Sequence, residues 1–474
     1  MRFGIFGWSV GMLFVACTLL TAVNAEAAEK NPPRHTAQAR GGVERAMQEI
    51  TTAIERQHPQ AAAPQETQEA QEAQEAQAQE PHISSVLLRW QPYPAAVRYA
   101  VQLTEKLPDG TIRVRETKDH IYTTGLHLPL AGHGSVDTFY WSMRPLGYDG
   151  VPLAAWSAPR PVRGETADPP APVLTTEYGE MAYAPLYPVY AWIPLAGQKY
   201  HEVEIYRREG AYDRYINTLR AGEYDVYDDM PFTVPGHYFF RVRGITSAGT
   251  PISNWSNYGS FTVVDRTPIA ALGDSITHGG GAITVPPSYR IYDWETYCTV
   301  PVKNLGHSGD TTAELLARFE RDVLPFSPRV LLIMGGVNDY RSGIYGAESV
   351  RNLTALRDKC KAYGITPVFL TATPIHPALM TSRMTIAPPP SDWWAHRDYI
   401  NHWIMQQEYS IDVSGVLSDG DGTLEPAYTT DGLHPDLMGK KYIGERVDEY
   451  LRAHFAYASG EAVKRVQMLK QMDK

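Results

Sequence analysis

Four short segments in the C-terminal half carry the residue types that acyl transfer needs. They are Gly273-Asp274-Ser275-Ile276-Thr277, Asn304-Leu305-Gly306, Gly336-Val337-Asn338-Asp339 and Asp431-Gly432-Leu433-His434. Ser275 brings a hydroxyl, which is weakly nucleophilic until a base takes its proton. His434 brings an imidazole that can do so near neutral pH. Asp431 stands three residues before it, and in a loop leading into a helix both side chains can face one way. The carboxylate then accepts from one ring nitrogen, fixes the tautomer and leaves the other nitrogen for the serine. Asp431 could also cap that helix, with Pro435 in the first turn, and the two uses are compatible. Asn338 offers a neutral NH2 donor, and Gly306 lets backbone come close to a substrate.

These segments need a scaffold that brings them together. Apolar runs at 269–272, 300–305, 330–334 and 366–370 predict buried parallel strands. Helical spacing at 311–324, 347–363, 393–407 and 437–455 alternates with them, and Thr311 with Glu314 predicts a capping box. Such alternation predicts a doubly wound α/β sheet, whose site lies at the carboxyl ends of its strands. Each of the first three segments starts where a strand should end. Ser275 falls between a strand and a helix start, where the helix dipole favours developing negative charge.

In order and separation the four segments resemble the SGNH, or GDSL-type, hydrolase family, over residues 265–458. The resemblance implies that Ser275 is the nucleophile, His434 the base and Asp431 its orienting acid. It also implies an oxyanion hole of the Ser275 backbone N–H, the Gly306 N–H and the Asn338 side chain. Asp274 and Asp339 are expected to shape their turns by accepting N–H groups. Ser308, in Gly306-His307-Ser308-Gly309, is a rival nucleophile. It lacks one residue of the Gly-x-Ser-x-Gly elbow, which disfavours an ordinary α/β-hydrolase. No Cys or His cluster has metal-ligand spacing, so neither metal nor other cofactor is expected.

The chain has 474 residues, a formal charge of −10, 43% hydrophobic and 11% aromatic residues. That length predicts several domains, and the acidic balance excludes the usual nucleic-acid binder. Residues 1–25 read as an export signal, with an uncleaved anchor as the alternative and a lipoprotein cysteine at Cys17 as a weaker one. Residues 26–82 read as a low-complexity linker rich in Gln, Glu and Ala. Beyond the signal only Cys298 and Cys360 remain, and buried thiols are the expectation.

Residues 83–165 and 166–264 read as two copies of one β module. Tyr140-Trp141-Ser142-Met143-Arg144 recurs as Phe239-Phe240-Arg241-Val242-Arg243 at an offset of 99, and Trp156-Ser157 as Trp255-Ser256 at the same offset. Apolar and polar residues alternate within each copy, the period of half-buried strands. An early Trp, a Tyr-x-Val strand and a closing Trp-Ser resemble fibronectin type III modules. That resemblance implies seven-stranded sandwiches without a catalytic role. Residues 459–474 read as a frayed helix or a polar tail.

Together these readings predict an exported serine esterase, periplasmic or extracellular, that works through an acyl-enzyme. Tyr289, Tyr292 and Trp294, with Trp393 and Trp394, could stack on sugar rings and so favour deacetylation of a carbohydrate or cell-wall polysaccharide, with a core role in the following helix as an equal alternative for Trp393 and Trp394. A lysophospholipase or thioesterase is the alternative within the enzyme class. A non-catalytic envelope-binding protein is the alternative outside it. Cell-wall or polysaccharide contact through the sandwich modules is the expected partner role, without nucleic acid.

Overall fold

A computed structural model describes residues 85–129, 136–163, 170–282, 285–384 and 386–472. The expected signal at 1–25 and linker at 26–82 lie outside the described residues.

The first module is a sandwich. Strands β1 (Ser85–Arg89) and β4 (Gly125–Pro129) form one sheet. Strands β2 (Arg98–Lys106), β3 (Ile112–Ile121), β5 (Phe139–Leu146) and β6 (Arg160–Pro161) form the other, in the order β3-β2-β5-β6. Trp90, Tyr99, Leu103 and Trp141 pack between the sheets. The second module has seven strands: β7 (Val173–Leu174), β8 (Val189–Ile193), β9 (Tyr200–Glu209), β10 (Tyr212–Ala221), β11 (Asp225–Tyr227), β12 (Gly236–Ile245) and β13 (Gly259–Val263). They form sheets of order β11-β8-β7 and β10-β9-β12-β13 around Trp192, Val203 and Phe240.

The repeat holds at the level of single contacts. The Met143 N–H donates to Ser157 Oγ at 3.1 Å, and the Val242 N–H to Ser256 Oγ at 3.0 Å. Arg144 lies 4.4 Å over the Trp156 ring, and Arg243 lies 4.2 Å over Trp255. Both pairs keep the offset of 99 in sequence.

The last domain is a five-stranded parallel sheet in the order β15-β14-β16-β17-β18. Its strands are β14 (Ile269–Gly273), β15 (Lys303–Gly306), β16 (Val330–Met334), β17 (Thr366–Leu370) and β18 (Ser410–Ile411). Strands β14, β15 and β16 are buried at every residue, because helices or chain cover both faces. The helices are α1 (Ser275–His278), α2 (Thr312–Ala317), α3 (Phe319–Asp322), α4 (Val337–Arg341), α5 (Gly346–Ala362), α6 (Pro377–Arg383), α7 (Trp393–Met405), α8 (Ser414–Leu417), α9 (Leu437–His454) and α10 (Ala456–Met472). Strand order reverses at β14, so the crevice for a ligand opens beyond its carboxyl end. Ser275 sits there.

One expectation changes, and two features add to the sequence reading. The helix expected at 311–324 keeps its capping box but divides into α2 and α3 at Arg318, whose side chain turns into the core. The segment read as a frayed helix or tail is largely α10, which buries Ala458, Ala462 and Val466 and sets Val466 against Tyr183 and Val264. The second sandwich and the catalytic domain are not independent bodies. Their buried residues form one core that runs from Trp192 and Phe240 to Leu272 and Val447.

The edge of the parallel sheet explains that fusion. An open edge strand invites wrong pairing. Here the segment before β8 covers β15: the Leu186 N–H donates to the Asn304 carbonyl at 2.9 Å. Lys303 is buried, donates to the Ala184 carbonyl at 2.5 Å and lies 4.9 Å over the Phe326 ring. Burial pushes its pKa down to about 7. A cut at residue 264 would leave this lysine, this edge and the Leu186 pocket open to water.

Candidate active site

Strand β14 delivers Ser275 to the first position of α1. Asp274 caps that helix by accepting from the Ile276 N–H at 2.9 Å. At the other end of the domain, Asp431 accepts from the Leu433 and His434 N–H groups, both at 2.8 Å. Helix α9 starts six residues after Asp431, with Asp436 at its N-cap position. Asp431 is therefore not the helix cap and is left to serve the imidazole.

The two segments meet. His434 Nδ1 donates to Asp431 Oδ2 at 2.8 Å, and Ser275 Oγ lies 3.0 Å from His434 Nε2. A carboxylate can only accept, so Nδ1 carries the proton and the Nε2 lone pair faces the serine. Burial alone would raise the Asp431 pKa, but His434 and the amide donors outweigh it and hold the carboxyl below its usual range. It stays ionised beside the imidazole, a placement that can stabilise an imidazolium. Its side chain is 2% exposed and that of His434 is 17% exposed. The acid is shielded and the base is reachable.

The third and fourth groups come from the loops after β15 and β16. Asn338, in α4, donates through Nδ2 to the Asp310 carbonyl at 2.9 Å, and its Oδ1 accepts from Arg341 Nε at 2.8 Å. Arg341 thereby fixes which end of the amide donates. Asp339 is fully buried and accepts from the Thr312 N–H at 2.9 Å and from Ser349 at 2.9 Å, the holding role expected of it.

Gly306 departs from expectation. Its N–H donates to Asn304 Oδ1 at 2.8 Å, so that proton is already committed. What the position does require is the lack of a side chain: a Cβ there would meet the His278 N at 2.2 Å, so the glycine lets β15 pack onto α1. Three residues on, Gly309 is exposed, has a φ of +93° and has open space around it. Its N–H has no acceptor among the described residues, and it precedes Asp310, whose carbonyl receives the Asn338 amide. The two glycines of this segment thus differ in burial, in backbone conformation and in whether the amide is held. Ser308, the rival nucleophile, bonds His278 Nδ1 at 2.9 Å rather than the base His434.

Two buried cations near the site had no sequence signal. Arg318 Nη2 donates to the Gly273 carbonyl at 2.9 Å and Nη1 to Leu305 at 2.8 Å, while Nε reaches the Asp310 carboxylate. It ties the ends of β14 and β15 to the Asn338 support. Lys440 is fully buried in α9, six residues past His434, and donates to the Ile276 carbonyl at 2.6 Å. Burial lowers its pKa to about 8, against the pull of Asp293, Glu295, Asp274 and Asp431. It joins the base-bearing segment to the nucleophile's helix.

His278 closes α1 and is buried. Its Nε2 donates to the Tyr187 carbonyl at 2.7 Å, and Nδ1 accepts from Ser308 at 2.9 Å. Burial pushes its pKa from 6.5 down to about 4, and the bond to the Tyr187 carbonyl, which pulls upward, does not offset it. The unfolded chain binds a proton below pH 6.5 that the fold refuses until about pH 4, so stability falls as pH drops through that window. Asp274, raised to about 7 by burial, contributes the opposite slope, and so does not account for such a fall. Wild-type Tm should therefore drop more steeply than that of His278→Gln across pH 6.5 to 4, a comparison in which the Asp274 contribution cancels. Parallel melting curves would contradict the neutral buried ring.

The aromatic residues expected to face substrate mostly do not. Tyr289, Tyr292, Trp294 and Trp393 are buried, and only Trp394 is exposed, at 54%. Trp393 packs on Tyr340 at 5.7 Å as the first residue of α7.

Part of the chain is similar to known proteins. Residues 271–442 match the GDSL-like Lipase/Acylhydrolase family. That stretch is a GDSL-like lipase/acylhydrolase, or SGNH, domain, and it includes all four segments. A curated relative, the Uncharacterized lipoprotein YqeF of Bacillus subtilis (strain 168), is 30% identical over 123 residues. The match covers 23% of this chain and 49% of that protein, so the chain spans about half the length of its curated relative. Solved structures similar to the chain include a GDSL-like lipase from Bacteroides thetaiotaomicron VPI-5482, at 20% identity, with 39% of this chain and 87% of that one covered and a TM-score of 0.33. A lipase/acylhydrolase from Enterococcus faecalis is 22% identical, with coverage of 40% and 96% and a TM-score of 0.33. An acetyl xylan esterase from Geobacillus stearothermophilus is 20% identical, with coverage of 40% and 97% and a TM-score of 0.31.

Proposed function

We propose that the chain is an exported serine esterase that hydrolyses carboxylic esters through an acyl-enzyme on Ser275. The observation that carries this reading is the relay from Ser275 Oγ to His434 Nε2 at 3.0 Å and from His434 Nδ1 to Asp431 at 2.8 Å. Ser275 Oγ attacks the ester carbonyl while His434 takes its proton. The same imidazole then gives that proton to the departing alcohol, and a water repeats the sequence on the acyl-enzyme. The tetrahedral oxyanion is received by the Ser275 N–H, the Asn338 Nδ2 and the Gly309 N–H. Gly309 takes the place first expected of Gly306, whose proton is spent on Asn304.

The substrate in this reading is an acetylated carbohydrate or cell-wall polysaccharide, met in the periplasm or outside the cell. The N-terminal sequence supports export, as does the lipoprotein relative by its name. Two sandwich modules, which we read as fibronectin type III-like, suit an enzyme that works on a large polymer. Among the described residues no helix is long and apolar enough to cross a membrane. The test is a screen of the purified protein on acetylated glycans, short-chain esters and lysophospholipid. Acetate release from glycan is the expected result. Rapid lysophospholipid cleavage without acetate release would move the substrate to lipids.

A further inference from the structure

The second sandwich touches His278 and His307 through a loop that is built rather than loose. Asp228 is buried, its N–H donates to the Pro188 carbonyl at 2.9 Å, and its Oδ1 accepts from the Met230 N–H at 3.1 Å. In an extended run, residues on either side of an inward one face outward together. Tyr227 is 44% exposed, and the Asp229 side chain is 87% exposed.

Both touch residues that adjoin the nucleophile. The Tyr227 ring meets the His278 ring edge-on at 5.9 Å, and His278 ends the helix that Ser275 begins. Asp229 Oδ1 lies 3.6 Å from His307 Nε2. The His307 N–H donates to the Gly273 carbonyl at 3.0 Å, two residues before Ser275, and its ring packs on Tyr187 at 4.6 Å. Its Nδ1 bonds Asp310 at 2.8 Å, which raises its pKa above the usual imidazole value against the effect of burial. The backbone carrying His307 continues into Gly309, the amide assigned to the oxyanion.

We propose that Tyr227 and Asp229 of the second sandwich, with His307, form the subsite for the alcohol side of the ester, and that they hold a hydroxyl-rich glycan segment. This rests on the esterase reading above. A carboxylate accepts from two neighbouring hydroxyls at once, and charge-assisted bonds of this kind are the stronger ones. An aromatic face covers the C–H side of a sugar ring. The same carboxylate repels a phosphate headgroup, so the rim selects against phospholipid as well as for glycan. The fused core then has a purpose: the sandwich supplies one wall of the site.

The experiment compares kcat/KM for a partially acetylated oligosaccharide and for p-nitrophenyl acetate, in the full chain. Asp229→Ala and Tyr227→Ala should each lower the ratio of the two by about tenfold, mainly through the oligosaccharide KM. Tyr200→Ala, on an exposed tyrosine of β9, should leave the ratio where it is. An unaltered ratio in both rim variants overturns the subsite. So does a wild type that cleaves the small ester but no acetylated oligosaccharide, with the esterase reading intact. A wild type that cleaves neither overturns both.

Discussion

Ser275→Ala and His434→Ala should each lower kcat by about 10⁴–10⁶, and the double variant should lose little more. The non-additivity is the informative part. Ser275 Oγ and His434 Nε2 are 3.0 Å apart and act as one unit, so removing either removes the attack. Asp431→Asn should cost about 10⁴ by a different route, because an amide can donate to Nδ1 and reverse the tautomer. That variant also weakens two bonds that shape the loop, from Leu433 and His434, so its melting temperature should be checked beside its rate. In the serine and histidine variants KM should move little, since neither group anchors the bound substrate. Losses that add between Ser275 and His434 would mean that they do not share a step.

Asn338→Ala is the second large effect, with kcat falling by about 10²–10³. The amide is fixed before substrate arrives: one N–H donates to Asp310, and Oδ1 is held by Arg341. A donor already in place stabilises developing charge without reorganising at the moment of reaction. The loss should fall on kcat with KM nearly constant, because the oxyanion exists only in the transition state. Arg341→Ala should give a smaller loss of the same kind, since it frees the amide to rotate without removing it. A large rise in KM for Asn338→Ala at unchanged kcat would assign the amide to ground-state binding.

The candidate site residues could be named from sequence because each sits where a strong local signal changes. Residues 330–334 and 366–370 read as strands and form strands with the same limits, the first apolar at every residue and the second at all but Thr366. The glycine of the oxyanion loop was not legible. Gly306 is buried with its amide held by Asn304, whereas Gly309 is exposed at positive φ, and both are tertiary facts. Lys440 beside Lys441 reads as solvated charge, yet one is fully buried on a carbonyl. The aromatic loop misled for a related reason, because Trp294 and Trp394 are the same letter at 0% and 54% exposure.

The fusion of the second sandwich to the sheet was hidden as well. The covering segment at 175–187 has no period of its own and pairs through Leu186 and through backbone carbonyls of Ala184 and Tyr187. The final helix is a different case. Ala458, Ala462 and Val466 recur every four residues, which is a helical stripe, and polar neighbours obscured it.

The central claim is that Ser275 is an activated nucleophile. Its most direct test is covalent labelling with a fluorophosphonate, followed by mapping of the modified peptide. The relay predicts one adduct on Ser275 in the wild type, strongly reduced in His434→Ala and absent in Ser275→Ala. An adduct on Ser308, or equal labelling of the Ser275→Ala protein, would contradict it.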